Sequence, residues 1–478
     1  MILNKTNYKN EDTNFIIEMS EGEKDKMTHL QKNCLDLHMA FESETRDEDE
    51  FLSLSSQFSE ACEQNKIYPP KYLDEINIIN DSGKFINQFP NPLFVRNILK
   101  GLYHIFRYSN YALQKFISMN PSQLLLKALG LPDINIRRQI YQIINLCCKT
   151  NEGVIFVTQS PLIINCFQSI HGYFQILQND MQENSPNIDI VCDILNVFIS
   201  IIEKSPPGTG SYLNDFFEIC KFCFESNHFF EFINHGICIL AHLARGGFYK
   251  EVLQSNLFQK VMSFLCDDRL RKNYVKCINF ATYLSNDISV ADSEILNLQS
   301  FAIEQIPVPN IISLFINNQS DELLAEACCN LFLNIVMSSS QLDTFINHPE
   351  FNEFISSLKE CIGCHSLETK IAASWFAWNM LRVGLREQQT KIFMTGLLDY
   401  LEDSIEFEDE EFIIKVVIGS IKRIIKSYRY NGCETVEPYQ RYLLQLREFV
   451  KNLYYNDNVN IHRAAQVFMK EYYPDLIL

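Results

Sequence analysis

Glycine and proline are scarce, at 16 Gly and 15 Pro in 478 residues. Both residue types interrupt helices, so their scarcity favours long helical stretches and excludes collagen-like and low-complexity chains. Uninterrupted apolar runs of the ~18 residues needed to cross a membrane are absent. The first fifteen residues also lack the basic and apolar regions of a secretory signal. We therefore expect no membrane insertion and a cytoplasmic location.

Basic residues are also fewer than acidic ones. The 41 Lys and Arg residues are outnumbered by 59 Asp and Glu residues, which gives a net charge of −18. Such a field repels the phosphate backbones of nucleic acids and attracts basic molecules. The composition therefore predicts no nucleic-acid binding and favours basic partners.

The 16 cysteines do not form a disulfide framework, because they are scattered through apolar helical runs. They are typical of core thiols in a reducing compartment. One group has metal-ligand spacing, since Cys220, Cys223 and His228 match the first three ligands of a zinc knuckle. Ile233 stands where the fourth ligand would be expected. We predict core thiols and no metal, with a zinc site as the alternative.

From about residue 61 onward, prolines punctuate segments in which apolar residues recur at intervals of three and four, the helical period. These segments repeat. Equivalent points recur every 40–52 residues, about 45 on average, at His104, Asn145, Asn196, His242, Thr282, Asn334, Asn379, Arg423 and Val467. The residues two before and one after each anchor are all apolar, which places them on one helical face.

A second motif recurs downstream of the anchors. Phe116–Pro121, Phe156–Pro161 and Phe345–Pro349 each join an aromatic residue to a proline shortly before another apolar run. Each unit is thus predicted to contain a long helix, a shorter helix, a break and a third helix. Such a unit buries its apolar face only by stacking on its neighbours.

This pattern resembles the armadillo-repeat family. The resemblance implies an all-α, right-handed superhelical armadillo-type solenoid over residues 85–478, in about nine units. Residues 61–84 are predicted to form a linker or capping segment. Residues 1–60 are acidic and poor in apolar residues, which predicts a disordered N-terminal arm with one short helix near 51–58. Long insertions are expected near residues 178–188 and 287–299.

Motifs of catalysis are missing. The Gly-rich turn at 205–212 lacks the lysine of a phosphate-binding loop. The C-x-x-C-H pattern at 361–365 falls between two helices of a repeat in a chain with no export signal, so a chance match is the better interpretation. We therefore predict a non-catalytic protein without a cofactor.

Trp375 and Asn379 lie one turn apart on a predicted long helix. This pair resembles the groove residues of the importin-alpha group, in which Asn amides bind a peptide backbone and Trp rings flank Lys stems. Trp occurs in only one unit here, and the N-terminal segment is acidic. The resemblance implies a groove for extended, basic protein segments, with these contact residues: Tyr141, Asn145, Asn196, Asn334, Trp375 and Asn379. We predict a general binding scaffold, with a nuclear import adaptor that shuttles to the nucleus as the alternative.

An acidic stretch at residues 399–411 precedes a helix that carries Lys415, Lys422, Arg423, Lys426 and Arg429. Acidic residues suit the positive end of a helix dipole. We predict a solvated helix, with a docking stripe for an acidic peptide, such as residues 42–50 of the same chain, as the alternative.

Overall fold

The computed structural model describes residues 20–43, 47–179, 185–204, 209–226, 229–285, 300–403, 409–430 and 439–474. Across these ranges the regular secondary structure is helical and no strand occurs. The chain divides into two compact units, residues 1–216 and 217–478. The predicted all-α fold class is confirmed.

The helices of the first unit include both long and short elements. They are α1 Glu21–Glu42, α2 Glu48–Gln64, α3 Pro70–Ile76, α4 Ile78–Gln88, α5 Pro92–Tyr108, α6 Asn110–Ser118, α7 Ser122–Leu129, α8 Ile134–Cys147, α9 Asn151–Thr158, α10 Pro161–Asn179 and α11 Pro186–Lys204. A 3-10 turn, Thr209–Tyr212, leads into α12 Leu213–Glu225, and the division between the units falls inside α12.

The second unit continues the same alternation. Its helices are α13 Phe230–Leu243, α14 Tyr249–Gln254, α15 Leu257–Ser263, α16 Tyr274–Ser285, α17 Val308–Asn317, α18 Glu322–Ile335, α19 Ser339–Ile346, α20 Phe351–Cys364, α21 Leu367–Val383, α22 Arg386–Met394, α23 Leu397–Asp403, α24 Glu410–Phe412, α25 Gly419–Tyr430, α26 Tyr439–Tyr454 and α27 Val459–Tyr472. Short π-helical segments, Ala244–Phe248 and Ile413–Ile418, join α13 to α14 and α24 to α25.

Side-chain caps set many of the helix starts. Asp133 accepts a hydrogen bond from the Asn135 amide at 2.8 Å, and Asp321 accepts one from the Leu324 amide at 3.1 Å. Such caps satisfy backbone N–H groups that have no partner in the first turn. Pro92 stands in the first turn of α5, where its missing N–H is no loss. The sequence predicts prolines as breaks between helical segments, and the structure places Pro92 at the start of one such segment.

Most repeats consist of a long helix, a short helix and a third helix, although only a 3-10 turn is described between α11 and α12. The long helices pack on one another in chain order. In the first unit the order is α2, α5, α8 and α11, and in the second it is α13, α16, α18, α21 and α25. A period of about 45 residues and three helices per repeat are typical of armadillo repeats. The predicted armadillo-like repeat fold is confirmed.

The core consists of the apolar faces that the repeat pattern predicts. Of the eighteen apolar residues that flank the anchors, seventeen are buried. The exception is Tyr283, whose ring lies 5.0 Å from the Arg245 guanidinium carbon. Burying these faces between neighbouring long helices supplies the hydrophobic stabilisation that a single repeat lacks.

The prediction of a disordered arm over residues 1–60 is wrong for residues 21–42 and 48–60. There α1 and α2 are packed helices, and Met27, Leu30 and Phe58 are almost fully buried. The predicted short helix at 51–58 is part of α2. Since α2 packs on α5, the repeat stack also begins before residue 85. Residues 1–19 and 44–46 lie outside the described residues.

The predicted linker at 61–84 contains the end of α2, all of α3 and part of α4, so it too is helical. Most of the two predicted insertions, residues 180–184 and 286–299, lies outside the described residues. Among the described residues, no single helix is long and apolar enough to cross a membrane. One pair, Asn151–Thr158 with Pro161–Gln178, meets the criteria of length and composition jointly, but its two helices are bent by 73°.

Candidate functional site

A groove on the long helices of the second unit brings together three of the predicted contact residues: Asn334, Trp375 and Asn379. Its cavity measures about 180 Å³. We call it the Trp375 groove, and its lining consists of Ser285, Leu333, Asn334, Met337, Trp375, Asn379, Arg382 and Val416. The structure thus places side chains from three successive long helices, α16, α18 and α21, along one surface, together with Val416 of the π-helical segment before α25.

Trp375 forms a fixed wall of this groove. Its indole ring stacks on the Phe412 ring, with 4.5 Å between ring centroids and 24° between ring planes. Phe412 is itself buried, and its backbone amide donates to the Asp409 carboxylate at 2.7 Å. Stacked aromatic pairs hold each other's orientation. The indole is therefore positioned before any ligand arrives.

Asn379 forms hydrogen bonds within the chain itself. Only 2% of it is exposed, and its side-chain nitrogen donates to the Val336 carbonyl oxygen at 2.6 Å. Its side-chain oxygen accepts from Arg382 at 2.7 Å. The last carbonyls of a helix lack partners in their own helix, and Val336 directly follows α18. In this structure the Asn379 amide therefore binds the chain itself, and its contact with a peptide backbone stays a prediction.

Asn334 repeats this arrangement one unit earlier. Its side-chain nitrogen donates to the Thr282 carbonyl oxygen at 2.9 Å, in the last turn of α16. Asn334 is only half-buried, so part of its side chain still faces the groove. The recurring Asn thus bonds each of these long helices to the end of the previous one.

In the first unit, the predicted pair Tyr141 and Asn145 does not face one groove. Tyr141 is 1% exposed, and its hydroxyl donates to Asn165 of α10 at 3.4 Å. Burial raises the pKa of Tyr141 above its usual value. Asn145 instead accepts from Ser200 of α11 at 2.8 Å. Asn196 is half-buried on α11.

A polar row between α8 and α11 was missed by the sequence analysis. The Arg138 guanidinium lies 2.7 Å from Asp189 and 3.3 Å from Asp193, and Gln142 donates to Asp193 at 3.2 Å. Burial raises the pKa of Asp193 to about 6, against the opposing effect of Arg138. The spacing of Arg138 and Gln142 by four residues could have indicated this row.

The cysteine groups are part of the helical core. Cys220 and Cys223 are fully buried on α12, and the Cys220 thiol donates to the Gly236 carbonyl at 3.5 Å. Burial, and secondarily the neighbouring Cys223, raises the pKa of the Cys220 thiol well above its usual value. His228 lies outside the described residues. Within the described part of the chain, no three His, Cys, Asp or Glu residues are grouped as metal ligands.

The C-x-x-C-H pattern, the Gly-rich turn and the basic helix are the other motifs that the sequence singles out. Cys361 is buried and Cys364 exposed, both on α20, and residues 205–208 lie outside the described residues. On the basic helix, Lys422 pairs with Glu471 at 2.9 Å, and Arg429 donates to the Tyr472 carbonyl at 2.7 Å. Part of the predicted basic stripe is thus engaged within the second unit.

The charge of the Trp375 groove is positive. Arg382 is the one charged side chain in its lining among the described residues, and it is exposed. The remaining lining consists of apolar side chains with two Asn and one Ser. The groove therefore offers an apolar surface beside a guanidinium.

No protein-family model matches the sequence, and no curated protein matches it. Among solved structures, the chain is similar to the crystal structure of an engineered protein, with a TM-score of 0.61 and 11% identity over 92% of this chain and 98% of that one. A designed armadillo repeat protein matches with a TM-score of 0.40 and 17% identity over 53% of this chain and 98% of its own. Another, in complex with the peptide (KR)4, matches with a TM-score of 0.34 and 14% identity over 57% and 98%. The first likeness shows the fold alone.

Proposed function

We propose that this protein is a non-catalytic scaffold that binds an extended segment of another protein in the Trp375 groove. One observation supports this proposal above the others: an exposed apolar side chain, a fixed indole and an exposed guanidinium lie on one surface. Met337 is 53% exposed, although it is a large apolar side chain. It lines the groove together with Trp375 and Arg382.

The size of the groove supports a protein segment over a small molecule. Its volume of about 180 Å³ is below the ~300–1,000 Å³ of typical small-molecule sites. Such a volume suits one or two side chains of a longer chain. Successive long helices then provide further contacts along an extended segment, as stacked repeats do in solenoids.

The chemistry of the lining favours an apolar side chain next to a carboxylate. Arg382 can bind a carboxylate through paired N–H donors, while Met337, Trp375 and Val416 accept an apolar group. A groove for basic import signals would require acidic lining, and the described lining has no Asp or Glu. The import adaptor is therefore the second hypothesis, and the cytoplasmic location, with or without nuclear shuttling, stays a prediction.

Peptide display on the full-length protein tests this proposal. We expect selected peptides to place a large apolar residue within a few positions of Asp or Glu. Their affinity, measured by fluorescence anisotropy at ~150 mM salt, should fall about tenfold or more in Met337→Glu and in Arg382→Glu. Met394→Glu is the matched control, because Met394 is 71% exposed but does not line the groove.

Two results would contradict the proposal. One is equal loss of affinity in Met394→Glu, and the other is the selection of no peptide at all. A Lys-rich import-signal peptide belongs in the same experiment. Micromolar binding that is lost in Trp375→Ala, with the helical content unchanged by circular dichroism, would instead support the import adaptor.

A further inference from the structure

A larger cavity, of about 400 Å³, lies within the first unit. Helices α7, α8 and α10 line it, and its volume falls in the range of small-ligand sites. We call it the Arg137 cavity. The residues that matter for its chemistry are Leu126, Arg137, Tyr141, Asn165, Tyr173 and Ile176.

Helical spacing explains why these side chains converge. Arg137 and Tyr141 are four apart on α8, and Asn165, Ser169 and Tyr173 succeed one another at intervals of four on α10. Residues at this spacing share a face of a helix. The two polar faces therefore border the same space.

The polar groups of the cavity are only weakly engaged with one another. Arg137 donates to the Tyr173 hydroxyl at 3.4 Å, and the hydroxyls of Tyr141 and Ser169 each donate to the Asn165 carbonyl oxygen at 3.4 Å. These distances lie beyond the usual range of protein hydrogen bonds. A ligand oxygen could therefore form shorter and stronger hydrogen bonds with these donors than the bonds that it would replace.

Arg137 and Arg138 are adjacent in the sequence but differ in their carboxylate partners. Arg138 forms ion pairs with Asp189 and Asp193 on α11. Arg137 has no carboxylate partner among the described residues, and no Asp or Glu lines the described cavity. The cavity thus holds one positive charge that the surrounding side chains do not neutralise, which suits one carboxylate.

The remaining wall is apolar. Leu126 and Ile176 line the cavity, and Ile176 is 47% exposed despite its size. Gly172 lies between Ser169 and Ile176 on the same face, and a Cβ built there would meet nothing within 4 Å. The absence of a side chain at this position leaves the space open.

We propose that the Arg137 cavity binds a monocarboxylate with an apolar body, either as a free small molecule or as the last residue of a peptide. Arg137 would pair with the carboxylate, and the hydroxyls of Tyr141 and Tyr173 would add hydrogen bonds. Leu126 and Ile176 would cover the apolar body. This site is independent of the Trp375 groove, because it is built from the first unit alone.

Isothermal titration calorimetry on the full-length protein tests this proposal with four probes. They are 4-phenylbutyrate, its neutral amide, the peptide acetyl-Gly-Ser-Leu with a free carboxylate, and the same peptide as a C-terminal amide. We expect at least one carboxylate to bind about tenfold or more tightly than its amide, because a charged hydrogen-bonded pair is lost in the amide. Binding of only the free acid or only the peptide acid identifies the source.

Three variants locate the binding. Arg137→Gln removes the charge, and Gly172→Leu fills the space without altering Arg137. Each should weaken binding about tenfold, while circular dichroism shows the helical content unchanged. Arg138→Gln is the matched control and should stay within about twofold. The proposal is overturned if no probe binds, if acids and amides bind equally, or if Arg138→Gln weakens binding as much as Arg137→Gln.

Discussion

Asn379 donates its side-chain amide to the Val336 carbonyl oxygen at 2.6 Å, which ties α21 to the end of α18. Asn334 makes the equivalent bond to Thr282 at 2.9 Å, which ties α18 to the last turn of α16. Both residues also line the Trp375 groove. The same side chains therefore join the repeats and shape the candidate binding surface.

Replacement of Asn379 by Ala should destabilise the second unit by about 1–3 kcal/mol, because it leaves a buried carbonyl without its partner. The measurement is the midpoint of urea unfolding, followed by circular dichroism. Asn196→Ala is the comparison, since Asn196 is an Asn at the equivalent point of another repeat and is only half-buried. Equal shifts in the two variants would contradict a structural role that is specific to Asn379.

Gly101→Ala tests the packing of α2 on α5. A Cβ at Gly101 would lie 2.3 Å from the Phe58 ring, so we expect a loss of about 1–3 kcal/mol in stability. Gly172→Ala is the opposite case within α10, because no atom lies within 4 Å of its Cβ position. It should be neutral or stabilising by up to about 1 kcal/mol through helix propensity.

Thermal unfolding of the two glycine variants gives the comparison directly. If Gly101→Ala were as stable as the wild type, α2 would not be packed on α5. That result would support the predicted disordered arm over the part of residues 1–60 that α2 occupies.

The pH dependence of stability should contain a contribution from Asp193. Burial raises its pKa to about 6 from the ordinary 3.8, so the folded state keeps this proton at higher pH than the unfolded chain does. Its contribution to stability is therefore largest below about pH 4 and declines as the pH rises toward 6. We expect urea midpoints to show this decline in the wild type and to lack it in Asp193→Asn.

Arg138→Gln provides the second arm of this test. The guanidinium favours the ionised carboxylate, so its removal should shift the decline to higher pH. Identical pH profiles in the wild type and Asp193→Asn would show that Asp193 does not titrate in this window.

Thiol reactivity should follow burial. Cys266 and Cys364 are exposed, whereas Cys220 and Cys329 are buried, and burial raises the pKa of both buried thiols well above the usual value. Because the thiolate is the reactive species, a short treatment with iodoacetamide at pH 7.5 should modify Cys266 and Cys364 first. Mass spectrometry with and without urea provides the readout. Modification of Cys220 in the native protein at the rate of Cys266 would contradict this packing.

The repeat architecture was predictable because it depends on local periodicity. Ile140, Ile143, Ile144 and Cys147 recur at helical spacing, and all four are fully buried. Pro92 can stand at a helix start because proline has no backbone N–H, and the first turn of a helix does not need that donor. Neither feature requires knowledge of a distant partner.

The N-terminal helices were not predictable in the same way. Met27 and Leu30 of α1 and Phe58 of α2 stand in an acidic stretch whose apolar residues form only short patches. Within that stretch alone, the buried area is too small to offset chain entropy. The fold supplies the missing partner, since the Phe58 ring packs against the backbone at Gly101 in α5.

The sequence by itself determined the helical repeat, its period and the identity of the buried faces, because each follows from residue spacing within one helix. Only the tertiary structure decided the role of each polar residue. Asn379 binds the Val336 carbonyl because α18 ends next to Asn379. Tyr141 contacts Asn165 because α10 packs on that side of α8. Periodicity gives the direction of a side chain, whereas the neighbour that it meets depends on how the helices pack.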